Sequence, residues 1–397
     1  MIPRFLKKSL KTDLIAGKVW MLFGARRVGK TLLIKEFLSE IGTNERWFSG
    51  QGDDAAVSQL LAACSAERLR LAFSEFDGVF IDEAQSVPDA GKALKLLVDT
   101  LPHLKVIVTG SSAFHLDQSL GQPLTGRRRV RHLHPISCGE IREWKDPLAP
   151  NGLLEDLLVY GAYPEVLGIG EPAKRREYLR QLVEDYLFQD ILMFERLRDA
   201  RKLRELLTLV AWQIGSEVSL SELGNQLQLS KPTVERYLDL LEKNFILHRV
   251  GGFSRNLRKE ITKSARWYFE DLGIRNALID QFQPLQLRPD KGGLWENFVV
   301  NERRKRIEYE KLERKGYFWR TYDQQEIDRV EVAQNAPASG ADTAGASKGG
   351  ATSADERIEA FECKWQPQSY KPPKAWERHY PNAPVRLIHS QNFAEFF

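Results

Sequence analysis

The first part of the sequence predicts an α/β domain with a mainly parallel, doubly wound sheet, and three short apolar runs carry that prediction. Residues 19–24 (VWMLFG), 78–81 (GVFI) and 105–108 (KVIV) have the length and unbroken apolarity of strands buried on both faces. Helical spacing separates them. Leu32, Leu33, Phe37 and Leu38 form a stripe over 30–40, and Ala93, Leu94, Leu96, Leu97 and Val98 form another between the second and third runs. Strands that alternate with helices wind a parallel sheet. This domain is expected to span residues 1–165.

Helical periodicity then takes over, through Tyr178, Leu179, Leu182, Val183, Tyr186 and Leu187, and again through Leu203, Leu206, Leu207 and Val210. A helical and winged helix-turn-helix region is expected over 166–265, and a mixed α/β domain over 266–397. Within the latter, 333–356 is almost entirely small and polar and holds no aromatic residue, so it is expected to be a flexible loop.

A chain of 397 residues has room for two or three domains. Its net charge of +4 permits contact with nucleic acid without requiring it. Cys64, Cys138 and Cys363 lie too far apart for zinc or redox spacing, which fits a reducing compartment. No secretory signal is evident and no stretch approaches the 18 apolar residues of a membrane span, so a cytoplasmic location is expected.

The segment after the first strand, GARRVGKT (24–31), satisfies G-x-x-x-x-G-K-[ST] at every fixed position. Gly24 and Gly29 let the backbone fold back, so that the N–H groups of Gly24, Ala25, Arg26, Arg27, Val28, Gly29, Lys30, Thr31 and Leu32 can cradle phosphate oxygens. Lys30 would sit on the β- and γ-phosphates of ATP, and the Thr31 hydroxyl would join the shell of a Mg2+ ion. The helix that begins here turns its positive end toward the same anion.

The second apolar run ends in Asp82, which can hold Mg2+ through water, and Glu83, placed to polarise the attacking water. The third ends in TGSS. Thr109 or Ser111 would sense the γ-phosphate from there, or else Ser111 or Ser112 caps the next helix. GRRRVRH (126–132) offers two readings: an arginine supplied to a γ-phosphate, or a solvated or DNA-facing basic patch.

Together GARRVGKT, VFIDEAQSVPD, VIVTGSSAF and LTGRRRVRHLHPIS resemble the P-loop, acidic-strand, sensor and Gly-Arg elements of a bacterial and archaeal AAA+ ATPase family, whose members carry a C-terminal domain of unknown function. YGAYPEV, FSRNLRKEITKSARWYFEDLG and LWENFVV extend the resemblance over nearly the whole chain. The family often has Gln where Arg27 stands, a side chain expected to point away from phosphate. The resemblance implies an ATP-dependent switch or motor with Arg127 as an arginine finger acting between subunits of a homo-oligomer.

Residues 222–247 have the rhythm of a helix-turn-helix, with Lys231, Thr233 and Arg236 pointing outward at the start of the second helix. Arg255, Arg258, Lys259, Lys263 and Arg266 then read as a wing on the phosphate backbone, so double-stranded DNA is the expected partner of 222–266. Protein docking is the alternative use of such a module.

Near the end, Glu296, Asp328, Glu362 and Lys364 stand in the order E…D…E-x-K of PD-(D/E)XK nucleases, a restriction-endonuclease-like fold. Alternation along a strand puts Glu362 and Lys364 on one face. The carboxylates would hold a divalent metal while Lys364 acts as the catalytic lysine, or the domain is a silent scaffold. The expected function is Mg-dependent ATP binding and hydrolysis that controls DNA binding or processing. The rivals are an ATP-regulated nuclease and a docking switch that touches no nucleic acid.

Overall fold

The computed structural model describes residues 2–111, 124–185, 200–254, 265–334 and 358–397. The continuation of the 171–195 helix past 185, Ser112, the wing residues 255–264 and most of the predicted loop lie outside them. Compactness divides the chain into two units. One comprises 1–146, 162–200 and 235–247, the other 147–161, 201–234 and 248–397.

The first unit is built on five parallel strands: β1 (Val19–Phe23), β2 (Trp47–Gln51), β3 (Gly78–Asp82), β4 (Lys105–Gly110) and β5 (Arg128–His132), in the order β2-β3-β4-β1-β5. Every residue of β1 and β3 is buried, because helices cover both faces of a parallel sheet. Each apolar side chain removed from water there, such as Phe80 or Ile107, stabilises the domain by about 1.5–3 kcal/mol. The edge strands differ: β5, RRVRH, is half-buried throughout and, among the described strands, pairs with β1 alone. Two of its arginines are tied down, since Arg129 and Arg131 both bond Asp13 at the end of the helix Phe5–Asp13.

β4 lies between β1 and β3, in register with both. The C-terminal ends of all three therefore open on one edge of the sheet, where ligands of open α/β folds bind.

Along the chain, the helix Ala200–Trp212 leads into β6 (Glu217–Val218), then the helices Leu220–Leu227 and Lys231–Lys243, then β7 (Leu247–Gly251) and β8 (Ala265–Phe269); of this stretch, residues 235–247 fall in the first unit and 201–234 and 248–269 in the second. These strands form a sheet in the order β6-β8-β7. Arg266 on β8 is 3% exposed, so the last residue of the expected wing faces the interior and not a DNA backbone. Its neighbours explain this: ARWYF is buried at all five positions. A second sheet, β12-β11-β10-β9, comprises β9 (Arg314–Arg320), β10 (Glu326–Ala333), β11 (Ile358–Cys363) and β12 (Val385–Ile388). Residue 333, expected to open the loop, ends β10.

The break expected near residue 165 is not a single crossing. Asn276 Nδ2 donates to the carbonyls of Leu158 and Val159 at 2.9 and 2.8 Å, and a Cβ on Gly161 would collide with Asp271. The helix Leu154–Tyr160 thus belongs to the second unit through its end carbonyls, which the helix itself leaves unpaired.

Candidate functional site

At the end of β1 the chain turns sharply. A Cβ on Gly24 would strike the Leu133 carbonyl, so only glycine lets the loop leave the sheet here. Gly29, at φ 97, precedes the helix Lys30–Ile41 in the left-handed region and frees the first helical N–H groups. Leu32 in that first turn is half exposed. Arg27 also has a positive φ, and its guanidinium lies 3.7 Å from Glu165, turned outward from the loop.

The loop is tied from behind. Arg4, which the sequence reading did not single out, donates to the carbonyls of Val28 at 2.6 Å and His134 at 2.5 Å, and to Glu140 Oε1 at 3.0 Å. Glu140 is fully buried and completes a capping box with Ser137. That S-x-x-E pattern was the one legible sign of this brace.

Lys30 is buried, and its ammonium donates to the carbonyls of Gly24 and Ala25 at 2.9 and 3.0 Å. Burial pushes its pKa down to about 8, and nearby Glu83 and Asp82 only partly oppose that. Thr31 Oγ1 donates to Asp82 Oδ2 at 2.6 Å across the width of β4. Thr109, at the end of β4, donates to the other Asp82 oxygen and accepts the Glu83 N–H at 3.1 Å. Glu83 adopts φ 49. Burial raises the pKa of its carboxyl, but Lys30, Gln85, Ser111 and Arg26 outweigh that and lower it overall. The Gln85 amide donates to Glu83 and, at 3.0 Å, to Ser111 Oγ. Thr109 and Ser111 are thus both joined to the acidic pair. Sequence reasoning passed over Gln85, whose only signal is its position two residues beyond Glu83.

Arg127 lies elsewhere. Its carbonyl accepts the N–H of Val19, the first residue of β1, so it sits level with the start of the strand that the loop ends. At about 3.3 Å per residue the loop is roughly 20 Å further along. Its side chain is ion-paired with Asp99 and cannot reach the phosphate position of its own chain.

In the second unit the structure gathers Glu296, Asp328, Glu362 and Lys364. The register that pairs Arg329 with Phe361 sets Asp328 opposite Glu362. Lys364 Nζ lies 2.7 Å from Glu362 Oε1. Glu296, on the helix Lys291–Tyr309, accepts from Tyr268 Oη at 2.6 Å. Burial and Asp328 push Glu296 up to about 8, and the same two causes push Glu362 up to about 7. Among the described residues no group of three or more His, Cys, Asp or Glu side chains is placed to hold a metal ion. No described helix is long and apolar enough to cross a membrane.

A β-loop-α turn with a lysine and a threonine, facing a strand-end Asp-Glu pair, is the arrangement of a P-loop nucleotide-binding domain. Residues 16–142 match the family model of an AAA domain, residues 151–285 a domain of unknown function (DUF8612), and residues 291–338 another (DUF4143). Residues 16–142 thus resemble an AAA domain, and residues 291–338 resemble a DUF4143 domain. It is 22% identical to the uncharacterized protein MJ1544 of Methanocaldococcus jannaschii over 79% of this chain and 74% of that one. It is 24% identical to the uncharacterized protein Rv2008c of Mycobacterium tuberculosis, over 80% and 68%. Among solved structures, AMPPCP-bound DnaA from Aquifex aeolicus aligns at 13% identity over 60% of this chain and 85% of its own, with a TM-score of 0.27. Cdc6p from Pyrobaculum aerophilum aligns at 14% identity over 70% and 92%, with a TM-score of 0.29.

Proposed function

We propose that this chain binds Mg-ATP in the Gly24–Thr31 loop and hydrolyses it, and that the nucleotide state governs attachment to double-stranded DNA. The observation that carries the reading is the convergence of the Lys30 ammonium, the Thr31 hydroxyl, Asp82 and Glu83 at one edge of the sheet. On binding, Lys30 would exchange the Gly24 and Ala25 carbonyls for β- and γ-phosphate oxygens. Thr31 and Asp82 offer the hard oxygen donors that suit Mg2+, which when bound neutralises charge on the phosphates. Glu83 stays ionised and accepts the proton of a water in line with the γ-phosphorus. The water oxygen bonds to the γ-phosphorus as the bond to the bridging oxygen breaks, so inorganic phosphate forms and ADP leaves with the bridging oxygen. Arg127, remote from its own site, would serve the site of a neighbouring copy.

The DNA part rests on the helix-strand-helix-helix-strand-strand order over 200–269 and the sheet order β6-β8-β7, which support a winged helix. Lys231 and Arg236 are exposed on its second helix, whereas Thr233 is engaged by the Ser230 hydroxyl at 2.8 Å. Comparing ATP turnover by wild type and Lys30→Ala tests the first part, and normal turnover by the variant defeats it. For the second part, duplex DNA affinity should fall steeply with salt and drop in Lys231→Glu with Arg236→Glu. Affinity unchanged by both substitutions would favour protein docking.

A further inference from the structure

We propose that the acidic cluster of the second unit is closed by the protein's own cation. The Arg266 guanidinium stands where Glu296, Asp328 and Glu362 would hold a divalent metal, so the wild-type cluster takes none.

Arg266 is pinned at its backbone, since β6 and β8 pair Glu217 with Arg266. Its Nη1 lies 2.8 Å from Glu296 Oε1 and 3.3 Å from Asp328 Oδ1, and its Nη2 lies 2.7 Å from Glu326 Oε2. An ion bridging Glu296 and Asp328 at about 2.1 Å from each oxygen would need the space that Nη1 fills. The guanidinium also rests over the Phe318 ring, 4.9 Å from its centroid, so packing fixes it on a further side. It cannot yield by losing its proton, because arginine keeps its charge in proteins.

The other lone pairs are taken too. Asp328 Oδ2 accepts the Cys363 N–H at 3.0 Å, and Glu362 accepts from Lys364 and, at 3.3 Å, from Tyr370 Oη. A metal-binding carboxylate keeps its lone pairs for the ion, whereas here both oxygens of Asp328 and of Glu362 face a donor, and Glu296 Oε1 faces two. The three acids therefore converge on arginine, lysine and tyrosine instead of on an open cage.

The test is Mn2+ binding followed by electron paramagnetic resonance on the full chain, stripped of metal and free of nucleotide. Wild type and Glu296→Gln should give superimposable titrations, because no ion sits at Glu296. Arg266→Ala should gain an Mn2+ site that disappears when Asp328→Asn is added. Plasmid incubated with wild type and Mn2+ should stay uncut. A wild-type site weakened tenfold or more by Glu296→Gln, or cutting abolished by Lys364→Ala, would overturn the proposal. So would a folded Arg266→Ala chain that gains no Mn2+. If that variant does not fold, the wild-type and Glu296→Gln comparison decides by itself.

Discussion

The Nζ of Lys30 lies 2.9 Å from the carbonyl oxygen of Gly24, the first residue of the loop that this lysine closes. The loop thus supplies the ammonium with acceptors of its own before any phosphate arrives. These contacts do not repay desolvation, and burial holds the pKa at about 8. A triphosphate beside Lys30 would favour the charged form, so binding at about pH 9 should take up a proton, and affinity should fall as pH rises through 8. Calorimetry in buffers of different ionisation enthalpy measures that uptake; affinity flat across this range contradicts the assignment. The stability sign follows from the lowered pKa. Below about 8 the full cost of burying the charge is present, and between about 8 and 10.5 it is relieved. Lys30→Met should remove that increment from the melting curve of the nucleotide-free protein.

Thr31, on the helix that follows β1, and Asp82, at the end of β3, meet at 2.6 Å although β4 separates those two strands. An Asp82→Asn chain keeps the shape and most of these hydrogen bonds but loses the charge that would orient the Mg2+ shell. Turnover should fall by about 10–100-fold, partly recovered at high Mg2+. Turnover independent of Mg2+ in wild type would remove Asp82 from this role.

A finger acting between copies predicts two things of Arg127. Turnover per chain should rise with protein concentration, and Arg127→Ala should lower it by about 10^3-fold at unchanged nucleotide affinity. A loss below tenfold would assign Arg127 to its ion pair with Asp99 alone.

Legibility in the sequence followed the range of the interactions. The Gly24–Thr31 loop, Asp82 and Glu83 could be read because each lies at the end of an apolar run whose neighbours declare the strand. Thr109 and Ser111 could be nominated by the same logic, but not their bonds to Asp82 and Gln85, which depend on β4 lying beside β3. Arg266 was misread because it closes a stretch rich in Arg and Lys. Its burial is set by the aromatic residues after it and by carboxylates 30 and 62 positions away. The interleaving of the two units was hidden for the same reason: one amide, Asn276, reaches back 118 residues to Leu158.

Arg4 is the longest-range case in the first unit, and it yields the clearest stability prediction. Its partners lie 24, 130 and 136 residues away, and it links the back of the phosphate loop to the helix Cys138–Trp144. Glu140 is fully enclosed, so removing the guanidinium strands a carboxylate without its Arg4 counter-charge and takes a donor from each of two carbonyls. Arg4→Met should therefore cost about 3–5 kcal/mol, a far larger loss than an exposed pair such as Lys8 and Glu143 would show. Denaturant unfolding of the variant measures this directly. Adding Glu140→Gln removes the uncompensated charge while retaining an acceptor for the Phe5 N–H, so the double variant should regain part of the loss. If the double variant is as unstable as the sum of the two single changes, the Arg4–Glu140 pair is not what couples the loop to that helix.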